Sequence, residues 1–122
     1  MPRWPLAATL LALCLNLGPA SAAGPDAHSC VQTLGTSTAA LESAAQQAFR
    51  DHRYAAAYGR YARLADAGHA PSAELALLML LNGPALFGSD WTATEKQQTC
   101  WNTLLVARAR QRVAWGGNAA GD

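Results

Sequence analysis

The most constraining feature of this 122-residue chain is an apolar run with a glycine and a proline on either side. The run covers residues 71–82, and every residue of 75–81 is apolar. A helix that is apolar all round has no face for water and is buried between its neighbours. At this length it also falls short of the roughly 20 residues that a bilayer requires. The sequence therefore predicts a helix at the centre of the packing, sandwiched among three companions.

Three further segments carry apolar residues at the spacing of an amphipathic helix. The first covers about 38–50, the second about 53–67, and the fourth helix opens at a Thr92-x-x-Glu95 capping box. Gly68 stands where a left-handed C-terminal cap is needed. No segment shows the alternation of an amphipathic strand, and short connections favour antiparallel neighbours. The predicted fold is all-α, with two stacked antiparallel helical hairpins.

The first 22 residues have the pattern of a secretory signal peptide. Arg3 provides the positive charge, an apolar stretch covers 6–17, and Ala20-Ser21-Ala22 supplies the small residues of a cleavage site. An uncleaved anchor is an alternative, although the stretch is short for a membrane span. A lipoprotein signal at Cys14 is another, which the bulk of Leu13 disfavours. The predicted organisation of this periplasmic or secreted protein is signal peptide 1–22, linker 23–35, helical domain 36–114 and flexible tail 115–122.

Export changes the chemistry available to the cysteines. Cys14 is lost with the signal peptide, which leaves Cys30 and Cys100 in a compartment that permits disulfides. Two cysteines in an exported domain often pair, so we expect a bridge between them. The alternative is two separate thiols, with Cys100 acting as a small buried apolar residue.

Charge excludes several classes of partner. Removal of Arg3 leaves eight basic and eight acidic side chains, so the mature chain is neutral and has no electrostatic reason to bind nucleic acid or an anionic membrane. His28 and Cys30 are the only pair near metal-ligand spacing, so no metal or other cofactor is expected. We interpret the carboxylates as solvated, the usual state for such groups; they include Glu42, Asp66, Glu74 and Glu95.

The centre of the chain is similar to a known repeat. The second helix ends with Ala65, Gly68 and His69, and the third carries Ala73 and Leu77. These positions resemble the Sel-one-like subclass of tetratricopeptide repeats, in which a helix ending in Ala-Ala-x-x-Gly-His precedes one that opens with Ala-x-x-x-Leu. The resemblance covers about 38–108. It implies an α-solenoid that binds other proteins and has no catalytic role, and it carries over no functional residue.

The match to that family is incomplete at its edges. Leu64 replaces the first alanine of the pattern, and Lys96 with Trp101 resembles the family's Lys-Ala-x-x-Trp-Tyr stretch with one extra residue. Asn102 stands where an aromatic residue is expected, and a second closing Ala-Ala-x-x-Gly is missing. Fewer than three repeats is marginal for a solenoid, and a disulfide or self-association would compensate.

Two surface features are candidates for partner binding. The glycine- and proline-rich loop after the third helix carries Leu86, Phe87 and Trp91, which either fold back onto the core or anchor a partner. Folding back is favoured, because a small domain needs the buried area. Arg108, Arg110 and Arg112 form a short basic run, which is typical of a solvated helix end, with an anionic partner surface as the alternative.

These observations favour a small exported protein that binds another protein, rather than an enzyme. A hydrolase using Asp51 and His52 near Ser37 is the catalytic alternative, although no nucleophile elbow surrounds any serine. A structural domain that self-associates through the apolar loop is the third possibility, and its mass in solution would distinguish it from the first.

Overall fold

The computed structural model describes residues 30–117 of the chain. The described part is all-helical, contains no strand, and has four helices packed against each other. The elements are α1 Thr38–Arg50, α2 Tyr54–Asp66, α3 Ala70–Asn82, a π-helical turn Gly83–Phe87, and α4 Glu95–Gly117. The predicted signal peptide with Cys14, the residue His28 and the chain beyond Gly117 lie outside the described residues.

The helices start and stop where side chains and backbone torsions satisfy their free ends. Ser37 precedes α1, and its Oγ accepts a hydrogen bond from the Ala40 N–H at 3.0 Å. Gly68 follows α2 with φ +88° and donates to the carbonyl of Ala65 at 3.0 Å, while the His69 N–H donates to that of Leu64 at 3.0 Å. This is the Schellman motif, so the left-handed cap predicted at Gly68 is confirmed.

The start of α4 differs from the sequence prediction. The capping box joins Thr94 and Gln97: the Gln97 N–H donates to Thr94 Oγ1 at 3.1 Å, and the Thr94 N–H donates to Gln97 Oε1 at 3.0 Å. The box predicted at Thr92-x-x-Glu95 is therefore wrong, by two residues. The Thr92 carbonyl instead accepts the Tyr58 hydroxyl at 3.0 Å, which fixes Thr92 in the loop.

Small side chains let the helices approach one another closely. α2 packs against α1, α3 and α4, and α3 also packs against α4 and the π-helical turn. Six alanines at the helix contacts are almost completely buried: Ala45, Ala48, Ala57, Ala65, Ala73 and Ala76. Larger side chains fill the spaces between them, with Trp101, Leu64 and Met79 fully buried. The core therefore consists of close helix–helix contacts at alanines, with the Trp101 side chain as its largest buried group.

α3 is only partly enclosed, which corrects the prediction that it is sandwiched among three companions. Ala73, Ala76 and Met79 are completely buried, but Leu78 is 44% exposed and Leu81 is 74% exposed. The sequence predicted burial of α3 on every side, because Glu74 is the one charged residue of the run 71–82. The packing supplies α2 and α4 as neighbours, and one side of α3 is left in contact with solvent.

A disulfide joins Cys30 to Cys100, as expected from the sequence, with the two Cα atoms 5.5 Å apart. It attaches the segment before α1 to the first half of α4. The same segment is held to α2 by the Gln32 N–H, which donates to the Asp66 carbonyl at 2.7 Å. The segment before α1 is thus attached to both α2 and α4, beside the same cavity.

Candidate functional site

The candidate site is built around the π-helical turn that continues α3. Gly83 is buried at its start, and a Cβ there would collide with the carbonyl oxygen of Ser89 and press on the Trp91 ring at 3.2 Å. Gly88 ends the turn with φ +63°, a torsion that favours glycine. The two glycines therefore allow the chain to widen into a π turn and then reverse tightly. Single π turns of this kind are frequent at functional sites.

This turn brings two of the three predicted site residues back onto the protein. The Phe87 ring makes edge contacts with Tyr54 at 4.9 Å and Phe49 at 5.9 Å between ring centroids. Trp91 stacks on Tyr58 at 5.2 Å and lies 5.6 Å from Phe87. Phe87 and Trp91 are half-buried against the core, which is the fold-back that the sequence favoured.

Leu86, the third predicted residue, is not among the residues packed against the core and is 64% exposed. Leu81, one turn earlier on α3, is also exposed. No charged residue occurs between Glu74 and Asp90 in the sequence. We call Leu78, Leu81 and Leu86 the exposed leucine face.

Tyr58 connects the aromatic cluster, which includes Phe87 and Trp91, to the loop before α4. Its hydroxyl donates to the Thr92 carbonyl at 3.0 Å. Burial raises the pKa of the Tyr58 phenol above its usual value, and the negative charge of Asp66 adds to the effect. The phenol therefore stays protonated, and a hydrogen-bond donor, well into the alkaline range.

Asp66 forms a second polar centre that the sequence interpretation missed. Its carboxylate accepts hydrogen bonds from the Trp101 indole at 2.9 Å and from the Gln97 amide at 3.1 Å. Asp66 is partly buried and lines a cavity, so it keeps some contact with solvent, but it also accepts hydrogen bonds within the protein that the prediction of a solvated carboxylate did not include. A carboxylate at a helix C-terminus is disfavoured by the helix dipole, which was the available signal. A buried tryptophan also needs an acceptor for its N–H.

A small cavity opens beside this centre, with a volume of about 280 Å³. The disulfide forms one wall, and polar side chains that include Asp66, Gln97 and Lys96 form the others. Every buried side-chain nitrogen and oxygen in the described residues has a hydrogen-bond partner. Of the polar side chains around the cavity, Asp66 and Gln97 are hydrogen-bonded to each other.

The catalytic alternative is not assembled by the fold. Ser37 precedes α1 and Asp51-His52 follows it, so the whole length of that helix, about 20 Å by its rise per residue, separates them. The His52 ring stacks on Tyr54 instead, and Asp51 pairs with Arg53 at 3.1 Å.

The other described histidine, His69, joins three helices. Its Nδ1 lies 2.7 Å from Ser72 Oγ, and its Nε2 lies 3.8 Å from a Glu42 oxygen. Ser72 is almost completely buried, so this contact is structural rather than accessible to a substrate. Within residues 30–117, no three His, Cys, Asp or Glu side chains are grouped closely enough to hold a metal ion.

The three arginines of the basic run have different surroundings. Arg108 donates to Glu74 of α3 at 2.9 Å, which holds α4 to α3. Arg110 and Arg112 are exposed, and Arg110 borders an apolar groove formed with Val106, Ala109 and Val113.

Within residues 30–117, one helical stretch is long and apolar enough to cross a membrane by length and composition. Ala70–Phe87 combines α3 with the π turn, has a mean hydropathy of 1.3, and is 33% buried inside the protein. The central helix of a globular helical protein has the same properties, so this is weak evidence for a span.

Comparison with known proteins adds no relative. The chain matches no protein-family model, and it is not significantly similar to any curated protein or solved structure.

Proposed function

We propose that this chain is a small exported helical-repeat protein that binds another protein in the periplasm and has no catalytic activity. Its four helices would form two stacked antiparallel hairpins of the Sel-one-like type. The Schellman turn at Gly68-His69 supports this arrangement, because it is where the resemblance is most specific. The buried alanines Ala65 and Ala73 on either side of that turn also support it, since they permit the close helix contacts of such repeats.

The observation that carries the binding proposal is the exposed leucine face. Leu81 and Leu86 together leave large apolar side chains in water, in a stretch without charged residues. Burying such surface against a partner yields about 25 cal/mol per Å². The rigid aromatic cluster behind Leu86 holds the turn in place, so a partner would not have to order it. Apolar groups that are already held in place lower the ordering cost of association.

Export is supported by two independent features. The first 22 residues have the three-part pattern of a signal peptide. The Cys30–Cys100 disulfide suits an oxidising compartment such as the periplasm. N-terminal sequencing of the protein recovered from a periplasmic fraction should begin at Ala23, whereas an intact Met1 there would contradict cleavage.

A photo-crosslinking residue placed at Leu86 tests the binding face in living cells. We expect one reproducible crosslinked protein, identified by mass spectrometry, and loss of that product when Leu81→Ser is added. The matched control places the same crosslinker at Gln46, an exposed residue of α1, where no such product should form.

The outcomes distinguish binding to a different protein from self-association. A product of twice the protein's own mass would assign the face to self-association instead of a different partner. Equal products at positions 86 and 46 would remove the exposed leucine face as the binding surface. Retention of the position-86 product in the Leu81→Ser variant would do the same.

A further inference from the structure

A second surface, on the outer half of α4, is unrelated to the exposed leucine face. α4 is 23 residues long, whereas the other three helices have 13 residues each. Its Arg108 reaches Glu74 near the start of α3, and Leu104 lies beside Gly68 and Pro71. The last turns of α4, through Gly117, therefore extend beyond the α2–α3 turn.

The residues of this half follow a heptad on the side away from the protein. Val106, Ala109, Val113 and Gly116 occupy positions a, d, a and d, and all four are exposed. Val106 is 50% and Val113 75% exposed. Arg108, at position c, is turned toward α3, so the a and d residues face solvent. We call these four residues the α4 seam.

The α4 seam has the shape of a receptor for large side chains. Val106, Ala109 and Val113, with Arg110 and Ala114, line an open groove of about 440 Å³. The d positions are alanine and glycine, which leave room between the valines. In a coiled coil, each such space takes a knob from the facing helix. Leucines of a partner helix would fill these spaces. The alanine and glycine of a second copy of the seam would leave them partly empty.

Charge decides which helix can occupy the seam. Arg110 is at position e and Arg112 at position g, one on each edge, and no carboxylate side chain follows Glu95 in α4. Residues at e and g select the partner of a coiled coil through interhelical ion pairs. Two copies meeting on this seam would bring four arginines together without a counter-charge. A helix with glutamates along both edges would neutralise the same positions.

We propose that the α4 seam binds an acidic amphipathic helix of another protein, with apolar residues at its a and d positions and glutamates at e and g. This surface is independent of the exposed leucine face, so the proposal does not rest on the function proposed above. Loss of either binding surface would leave the other intact.

Two synthetic helices test the proposal directly. Both are about three heptads long with leucine at a and d; one carries glutamate at e and g, the other lysine. Like charges on both edges keep each peptide from pairing with itself. Titration of the purified oxidised protein into each labelled peptide, followed by fluorescence anisotropy, gives the two dissociation constants.

We expect the glutamate peptide to bind at least about tenfold more tightly than the lysine peptide, and less tightly in high salt. Arg110→Glu with Arg112→Glu should reverse that preference, and Val106→Ser with Val113→Ser should abolish binding of both peptides. Arg50→Glu with Arg63→Glu is the matched control, because it makes the same change in net charge on exposed residues elsewhere. That variant should bind as the unmodified protein does.

Several results would overturn the proposal. Equal affinity for the two peptides, or no binding of either, would remove the charge selection. If the Arg50/Arg63 variant also lost its preference for the glutamate peptide, the preference would come from the protein's overall charge and not from the seam. A dimer of the protein that the Val106/Val113 variant dissociates would make a second copy the occupant. Binding to vesicles of anionic phospholipid while the glutamate peptide stays free would assign the seam to a membrane. Circular dichroism melting of each variant confirms that it is folded.

Discussion

Single residues with left-handed torsions set where α1 and α2 end. Gly68 has φ +88° and His52 has φ +60°, and each is followed by an N–H that bonds back into its helix. The glycine was recognisable from the sequence, because glycine adopts this torsion without strain. The left-handed torsion of His52 was not recognisable, since a histidine gives no comparable signal; its ring stacks on Tyr54, two residues later.

The two glycines of the α2 region should respond oppositely to alanine. Gly68→Ala should destabilise the protein by about 1–2 kcal/mol, because the torsion is strained for alanine. The new Cβ would also approach a Val31 methyl at 3.3 Å. Gly59→Ala should stabilise by about 0.5–1 kcal/mol, since Gly59 lies inside α2 with open space around it. Urea unfolding measures both, and equal effects would contradict the cap.

The buried tyrosines predict a loss of stability in alkali. Burial raises the pKa of Tyr61, and Glu42 raises it further while Arg50 opposes this. The unfolded chain then loses its phenolic proton at lower pH than the folded protein does. Stability is retained below pH 10, about the unfolded value, and falls as pH rises through the folded pKa.

Tyr61→Phe removes the titrating group and should make that alkaline decline shallower. Urea unfolding at a series of pH values from about 8 to 11 gives the two slopes. Identical slopes for the variant and the unmodified protein would show that Tyr61 does not contribute. Tyr58→Phe is a weaker probe, because it also loses the hydrogen bond to Thr92.

At the scale of elements, the sequence predicted the bounds of the first three helices well and their packing neighbours less well. The predicted ranges 38–50, 53–67 and 71–82 agree with α1, α2 and α3 within one or two residues. Periodicity and glycine punctuation are local properties, which explains the agreement. The exposure of Leu78 and Leu81 depends on how many neighbours α3 has, which its own residues do not encode.

The π-helical turn offers the sharpest test of an element. Gly83→Ala should displace the loop, because the added methyl group collides with the backbone of Ser89. Trp91 would then lose its stacking on Tyr58, so tryptophan fluorescence should shift to longer wavelength and acrylamide quenching should increase. Gly88→Ala is the control, since its surroundings are open although its torsion is strained. A larger spectral change in the control would contradict this account.

At the scale of the whole molecule, the disulfide joins parts that are distant in the sequence. Cys30 and Cys100 are 70 residues apart in sequence and connect the segment before α1 to α4. Closing so long a loop restricts the unfolded chain, which in the entropic view stabilises the folded protein by up to about 4 kcal/mol. For a small domain this is a large part of the total stability.

Cys30→Ser with Cys100→Ser should therefore lower the urea midpoint, and reductant should lower that of the unmodified protein to the same value. Reductant should leave the midpoint of the double variant unchanged. Thiol counting on the denatured protein, without reductant, should find neither cysteine free. Two reactive thiols in that assay would contradict the bridge.

The sequence alone determined the helical class, the positions of α1, α2 and α3 and the glycine cap, because each follows from local pattern. It favoured the Cys30–Cys100 bridge but left two separate thiols as the alternative, which the structure decides. It could not determine which glutamine and threonine cap α4, that Asp66 receives the indole of Trp101, or which leucines of α3 meet water. It also did not distinguish Leu86 from Phe87 and Trp91. In the fold, Phe87 and Trp91 are partly buried and Leu86 is exposed. These outcomes depend on which surfaces meet in three dimensions, and only the packed helices supply that information.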